Sequence, residues 1–268
     1  MRVRTALLLC AGLALVPAMA NPDSGAPGVT QAIRDLKLSM TVAGRVEAVL
    51  VREGQKVQKG EVLLQLDHTL ETLEVKRRKL MLDDRARLND LESKERVLQS
   101  QSAEVESLLK SGAVSRKQVE DEQMAYQSTR SERLMMEQAK AREAVELQLA
   151  EEALERRLLR SPIDGVITKI AFREGESIAA HEPVMAIADV SRVRFLGTLN
   201  PEQVKRVRAG AGVRLELGPV SERIKRSARL VYISPVTDAA SGLVEVIAEF
   251  ENAQGAVRPG VSGRLFVQ

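Results

Sequence analysis

Residues 68–158 contain no proline and one glycine, Gly112, in a stretch dominated by Leu, Gln, Ala and charged side chains. These are strong helix formers. Leu73 and Leu80 are seven apart, as are Leu91, Leu98 and Val105, and the step of eleven from Leu80 to Leu91 is a four-residue stutter in a heptad pattern. Past Gly112, Val119, Tyr126, Leu134, Ala141 and Val145 are the apolar teeth among charges. The pattern predicts two antiparallel helices of about 40 residues, each roughly 60 Å long at 1.5 Å per residue. Gly112 stops the first helix in the left-handed conformation. Ser115 caps the second, with Gln118 at capping-box spacing. The tip is placed at 110–116; the alternative is a glycine kink within one helix.

The flanks change period. Residues 44–67, GRVEAVLVREGQKVQKGEVLLQLD, and residues 165–189, GVITKIAFREGESIAAHEPVMAIAD, superpose at an offset of 121. Gly44 falls on Gly165 and Arg52-Glu53-Gly54 on Arg173-Glu174-Gly175, while Val46, Val57 and Leu66 meet Ile167, Ile178 and Ile187. Such an internal repeat organises everything around it. Each half reads as short strands punctuated by glycine turns, too small to bury a core alone. From about residue 190, RVRFLGTL, VRLEL, ARLVYIS and LVEVIAEF read as strands, with Asn200-Pro201-Glu202 starting a helix through about Arg208. Val244, Val246, Ala248 and Phe250 form one face of a period-two strand. Several short strands with one helix predict a small β-barrel.

The fold class is therefore α+β and elongated: a long antiparallel helical hairpin inserted in a split β-sandwich, followed by a small β-barrel. The expected boundaries are a signal peptide 1–20, a mobile lead-in 21–37, a first half 38–67, the hairpin 68–158, a second half 159–189 and the barrel 190–268.

Composition narrows the chemistry. Met1-Arg2-Val3-Arg4, the apolar run Thr5–Val16 and Ala18-Met19-Ala20 form a secretory signal pattern, too short to span a bilayer. Cleavage is expected before Asn21. The only cysteine, Cys10, lies inside it; lipidation there is the alternative, against which stands Leu9 where a small residue is needed. The formal charge of +3 falls by two with Arg2 and Arg4, and aromatics are 2% of the chain. Neither an electrostatic footprint nor a stacking platform for nucleic acid is present. No Gly-x-Ser-x-Gly, Walker, Cys-x-x-Cys or His-Glu-x-x-His pattern occurs, and no cofactor is implied. His68 and His181 would need to meet, with Asp67 or Glu182, to bind a metal; otherwise both are exposed turn residues. Met124, Met135 and Met136 are soft enough for Cu(I) or Ag(I), or else simply fill the helical seam.

The two half-motifs are of the biotinyl/lipoyl type. Together with the hairpin and barrel, the segments VAGRVEAVLVREGQKVQKGEVLLQLD, LRSPIDGVITKIAFREGE, NPEQVKRVRAGAGVRLEL and VRPGVSGRLFV resemble periplasmic adaptor subunits. These are the HlyD/RND-type membrane fusion proteins of tripartite efflux and secretion systems. The resemblance implies a non-enzymatic exported bridge between an inner-membrane transporter, RND type favoured, and a TolC-like outer-membrane channel. It also implies a homo-oligomer, a hexameric ring or trimer of dimers, that associates peripherally with the inner-membrane complex.

In the family the hairpin tip carries Arg, Leu and Ser; here Leu108 and Ser115 match, and Glu104 stands at the arginine position. The expected channel-binding set is Glu104, Leu108, Gly112, Val114 and Ser115. The family's membrane-proximal domain is expected to be absent. Two other classes compete. A periplasmic spacer would act through its coiled coil alone. A biotin or lipoate carrier would show a modifiable lysine in a tight turn, where this chain has the helical insertion.

Overall fold

The computed structural model describes residues 25–253 and 255–267; the signal-peptide pattern and Cys10 lie outside them. The strands up to the first helix are β1 (Ala26–Ser39), β2 (Gly44–Val49), β3 (Lys56–Val57) and β4 (Val62–Leu66). Helices α1 (Thr69–Asp83), α2 (Ala86–Lys110) and α3 (Arg116–Glu155) follow. Next come β5 (Leu158–Arg160), β6 (Gly165–Ile170), β7 (Ser177–Ile178) and β8 (Pro183–Leu199). The chain closes with α4 (Pro201–Val204), β9 (Gly212–Leu217), β10 (Ile224–Thr237), β11 (Val244–Glu251) and β12 (Ser262–Val267). Two compact units result: residues 35–188, and residue 189 onward together with the segment up to Arg34.

In the 35–188 unit the repeat becomes an exchange of strands. β2 pairs with β7 (Gly44 opposite Ile178), and its repeat equivalent β6 pairs with β3 (Val57 opposite Gly165), so each half completes the other's sheet. The turn hydrogen bonds are exchanged in the same way. Gly54 N–H donates to Ile167 O (2.8 Å) and Gly175 N–H to Val46 O (2.9 Å). Glu53 Oε1 accepts from Ile170 N–H (2.9 Å), and Glu174 Oε1 accepts from Val49 N–H (3.2 Å). All six apolar residues matched across the repeat are at most 4% exposed and share one core with Leu63, Leu64 and Val184. Burial of each such side chain stabilises by roughly 1.5–3 kcal/mol. One position breaks the symmetry: Gly60 of the first half is replaced by His181, which keeps a left-handed backbone (φ 64°) and donates its N–H to Met40 O (2.7 Å).

This exchange yields a prediction. Glu53→Ala and Glu174→Ala should each lower stability by about 0.5–1 kcal/mol, the range for an exposed hydrogen bond. The two losses should be similar, because the bonds are repeat equivalents. Urea denaturation of the two variants checks this; a loss confined to one of them would contradict the exchange.

The helices form two arms, α1 and α2 running out and α3 returning. On α3 the inward positions run 119, 122, 126, 129, 133, 136, 140, 143, 147, 150 and 154, alternating steps of three and four without interruption. That is a heptad seam. On α2 it runs Leu88, Leu91, Glu95, Leu98, Ser102, Val105 and Leu109. The expected teeth Leu73, Leu80, Leu134 and Val145 are instead exposed, as is Ala141. Charged side chains take seam places where they find partners. Arg133 pairs with Glu95 across the arms and with Glu137, and Arg78 pairs with Glu74 (2.7 Å) and Glu146 (3.4 Å).

The first arm is not one helix of about 40 residues. It breaks at Asp84-Arg85, at the sequence stutter, with Asp84 extended (φ −71°, ψ 100°). Lys140 of α3 donates to the carbonyl of Met81 at this break (2.7 Å), and Asp84 Oδ1 accepts from Ala86 N–H (3.2 Å). Groups that a continuous helix would pair internally are thus satisfied from elsewhere.

Near the root, hydrogen bonds from Arg77 and then Arg78 hold the Glu74 carboxyl down at about 2, against an ordinary 4.5. A depressed carboxylate contributes stability that is complete above 4.5 and disappears as pH falls toward 2. The Tm difference between the parent and Glu74→Gln should therefore be constant from pH 7 to 5 and shrink below pH 4.5. Thermal melts followed by circular dichroism at 222 nm test this; a difference as large at pH 2.5 as at pH 7 would contradict it.

In the other unit, β12 lies between β1 and β9, and β10 and β11 follow on to β8; β1 also pairs with β8, so the strand order returns on itself. Val244, Val246, Ala248 and Phe250 are buried, as their alternation predicts, against Phe195, Leu199, Leu215, Leu230 and Leu265. Residues 26–37 are not a mobile lead-in: they belong to β1, whose first residues pair with β12 from Ala26 opposite Leu265 to Val29 opposite Ser262. Their small and polar side chains hid the strand, since Ala26, Thr30 and Ala32 are the buried positions. Just before β12, the carbonyls of Arg258 and Val261 each lie 3.0 Å from the Thr30 Oγ1 donor, which also accepts from Val261 N–H (2.9 Å). The helix expected through Arg208 stops at Val204, although Asn200 and Gln203 cap it as their spacing predicts.

Candidate partner-binding tip

The end of α2 is built by local hydrogen bonding. Ala113 N–H donates to Leu108 O (3.1 Å) and Gly112 N–H to Leu109 O (3.1 Å), the Schellman pattern. Gly112 takes φ 73°, which a side chain would strain, and nothing lies within 4 Å of where a Cβ would stand. Ser115 then opens α3: its hydroxyl accepts from Gln118 N–H and Gln118 Oε1 accepts from Ser115 N–H, both at 3.3 Å. One turn thus reverses the chain with the Leu108 and Leu109 carbonyls and the Gln118 amide paired.

This geometry gathers Leu108, Gly112, Val114 and Ser115 into one small end. Leu108 is 39% exposed, Val114 half-buried, and Gly112 and Ser115 exposed. Glu104 is exposed one helical turn back along α2. The tip residues present an apolar side chain, a hydroxyl and a bare backbone, with no group placed for catalysis.

Lys110, Arg116 and Lys117 were not among the expected site residues, yet all three are exposed here. From Ser107 to Val119 there is no acidic residue, so the tip is positive. The signal lies in the stretch LLKSGAVSRKQ, which holds three basic residues and no acidic one.

The other candidates separate. His68 Nδ1 lies 2.8 Å from Glu47 Oε2 and 3.1 Å from Leu66 O, joining the root of α1 to β2 and β4. His181 is an exposed turn residue. Among the described residues no group of three or more His, Cys, Asp or Glu is arranged to hold a metal. Met124 and Met135 are about 70% exposed and point away from the seam that was expected to contain them; Met136 alone of the three is a seam residue. Among the described residues, no helix is long and apolar enough to cross a membrane.

Comparison with known proteins agrees with this architecture. Residues 34–189 match the family model described as CzcB-like, barrel-sandwich hybrid domain. An uncharacterized protein of Haemophilus influenzae is 25% identical over 237 residues, 88% of this chain and 54% of that protein. The cobalt-zinc-cadmium resistance protein CzcB of Cupriavidus metallidurans is 26% identical over 226 residues, 82% of this chain and 40% of that one. The chain therefore spans about half, or less, of the length of these curated relatives. Among solved structures, MacA from Actinobacillus actinomycetemcomitans superposes with a TM-score of 0.72 at 21% identity, over 91% of this chain and 78% of that one. The membrane fusion protein Spr0693 from Streptococcus pneumoniae gives 0.58 at 17% identity, over 90% and 97%. These likenesses are of fold. The family match covers more than half of the sequence, and on it the chain belongs to the CzcB-like barrel-sandwich hybrid domain family.

Proposed function

We propose that the protein is a non-catalytic periplasmic adaptor of an efflux or secretion system. It bridges an inner-membrane transporter, RND type favoured, and a TolC-like outer-membrane channel, as a homo-oligomer, either a hexameric ring or a trimer of dimers. It reaches the periplasm by the signal peptide and meets the inner-membrane complex through its lipoyl-like and barrel domains. The observation that carries the reading is the tip: a capped, exposed turn at the far end of two arms rooted in a domain of this family. Leu108, Val114 and Ser115 are its channel contacts, with Gly112 shaping the turn and Glu104 flanking it.

The test is photo-crosslinking from position 114 or 117 in intact cells, followed by identification of the joined protein. An outer-membrane channel is expected at the tip. Crosslinks only to soluble periplasmic proteins would favour the spacer reading. Biotin or lipoate found on a lysine by mass spectrometry would replace both with a carrier.

A further inference from the structure

The whole chain is close to neutral, but its charge is unevenly spread. Between Gln203 and Leu230 there are eight Lys or Arg residues and two acids. Strand pairing gathers part of this excess on one wall of the barrel. Lys225 of β10 stands opposite Glu216 of β9, Glu216 opposite Arg264 of β12, and Arg264 opposite Pro27 of β1. In the next row Ser227, Arg214 and Phe266 are level in the same way. Directly opposed residues share a face. The row between, with Leu215, Leu265 and Ala26, is buried, so these two rows look outward.

Lys225, Arg214 and Arg264 are exposed and form no ion pair among the described residues. Arg214 lies over the Phe266 ring, 5.3 Å from its centroid, which steadies it against the wall. The one acid in the two rows, Glu216, has a side chain only 14% exposed and is held by Arg223 (2.9 Å). Beyond β10 the sign reverses: β11 turns Glu245, Glu249 and Glu251 outward, and Arg229 stands opposite Glu249. The barrel thus has one basic wall and one acidic wall.

At the end of the basic wall the β9–β10 turn exposes Val220 (82%), with Glu222 as its one acid. Gly218 N–H donates to Ser262 O (2.9 Å), and Val29, opposite Ser262, is 37% exposed. Aliphatic side chains projecting past basic ones suit a surface that dips between lipid headgroups while Lys and Arg meet the phosphates. An acidic protein face alone would answer the bases but not the aliphatic turn.

We propose that the β10–β9–β12 wall of the barrel binds the surface of a membrane containing anionic phospholipid. Lys225, Arg214 and Arg264 meet the phosphates, Val220 enters the headgroup layer, and the acidic wall on β11 is held away, which fixes how the barrel stands on the surface. Which cellular membrane is met rests on the adaptor reading; binding to vesicles does not, so the two can fail separately.

The experiment uses the full chain, as exported and purified, in co-sedimentation with vesicles. The chain should pellet with vesicles of equal parts phosphatidylglycerol and phosphatidylcholine, not with phosphatidylcholine alone, and about 0.5 M sodium chloride should release it. Lys225→Gln with Arg264→Gln should weaken binding at least about tenfold at unchanged Tm, since each basic residue near an anionic surface contributes roughly fivefold. Lys94→Glu, in the arm, should leave it unchanged. The chain has no tryptophan, so Val220→Trp is a single reporter. Its emission should move to shorter wavelength with the anionic vesicles and stay put with phosphatidylcholine. Equal pelleting with both vesicles, full binding by the double variant, an equal loss with Lys94→Glu, or no shift of the reporter would each overturn the proposal. No binding to either vesicle would do the same and leave an acidic protein face as the occupant.

Discussion

Gly28→Ala is expected to lower the stability of the barrel unit by at least about 3 kcal/mol, the upper range for forced overpacking. For a unit of about 100 residues this is a fall in Tm of roughly 15 °C. A Cβ at Gly28 would stand 2.1 Å from the carbonyl oxygen of Leu196 and 2.6 Å from the ring of Phe195. The ring can turn only within a packed core, because Phe195 is fully buried. The carbonyl belongs to β8 and moves only if the strand moves. Gly212→Ala in β9 is the control: its Cβ meets nothing within 4 Å, and stability should change little. Calorimetry of both variants decides the matter. If Gly28→Ala melts with the parent protein, residues 26–34 do not hold their place in the barrel and the lead-in reading returns.

The second large effect concerns the tip. Leu108→Glu should abolish transport while leaving the helical signal and Tm unchanged. Leu108 is 39% exposed, and its structural duty is carried by its backbone carbonyl, which accepts from Ala113 N–H and from the Ser111 hydroxyl. A glutamate keeps that carbonyl and costs the fold almost nothing. At a small docking surface, however, burying an unpaired carboxylate removes the apolar anchor and adds a desolvation cost, together about 2–4 kcal/mol. That is roughly 30- to 1,000-fold in affinity. Leu108→Met should retain function, since volume and polarity are nearly kept. The measurement is survival of cells carrying each variant against a panel of toxic compounds and metal salts, compared with a strain lacking the gene. Full resistance with Leu108→Glu would remove the tip from channel docking. Lys94→Glu, an exposed change in mid-arm, should be silent in the same assay.

The helical arms show how far periodicity reaches. Apolar counting located α3 and the stutter before the break at Asp84-Arg85. Leu91, Leu98, Val105, Val119 and Tyr126 lie in the seam as their spacing predicts, whereas Leu73, Leu80, Leu134, Ala141 and Val145 do not, because the seam is not apolar throughout. In the folded arms Arg133 occupies a seam place beside Glu95, and Lys140 reaches the Met81 carbonyl, while Leu134 and Val145 face outward. Long charged side chains can lie in a seam when their ends find partners. A one-dimensional pattern cannot see those partners, which sit on the opposite arm.

Local chemistry and repetition were therefore legible without coordinates. The turn at Gly112 and the caps at Ser115 and Asn200 use partners within five residues, and the repeat named three core pairs through self-similarity. The strand alternation from Val244 to Phe250 likewise placed its own inner face. Only the tertiary structure decided that the repeat halves exchange Glu53 and Glu174, which face of each arm is the seam, and that β1 joins the barrel. Each of those depends on a partner far along the chain: 117 or 125 residues for the two glutamates, and opposite ends of the sequence for β1 and β12. Hydrogen bonds to a distant backbone leave no periodic trace in the residues that make them, so β1 with its small, polar inward side chains showed no pattern until β12 and β8 stood beside it.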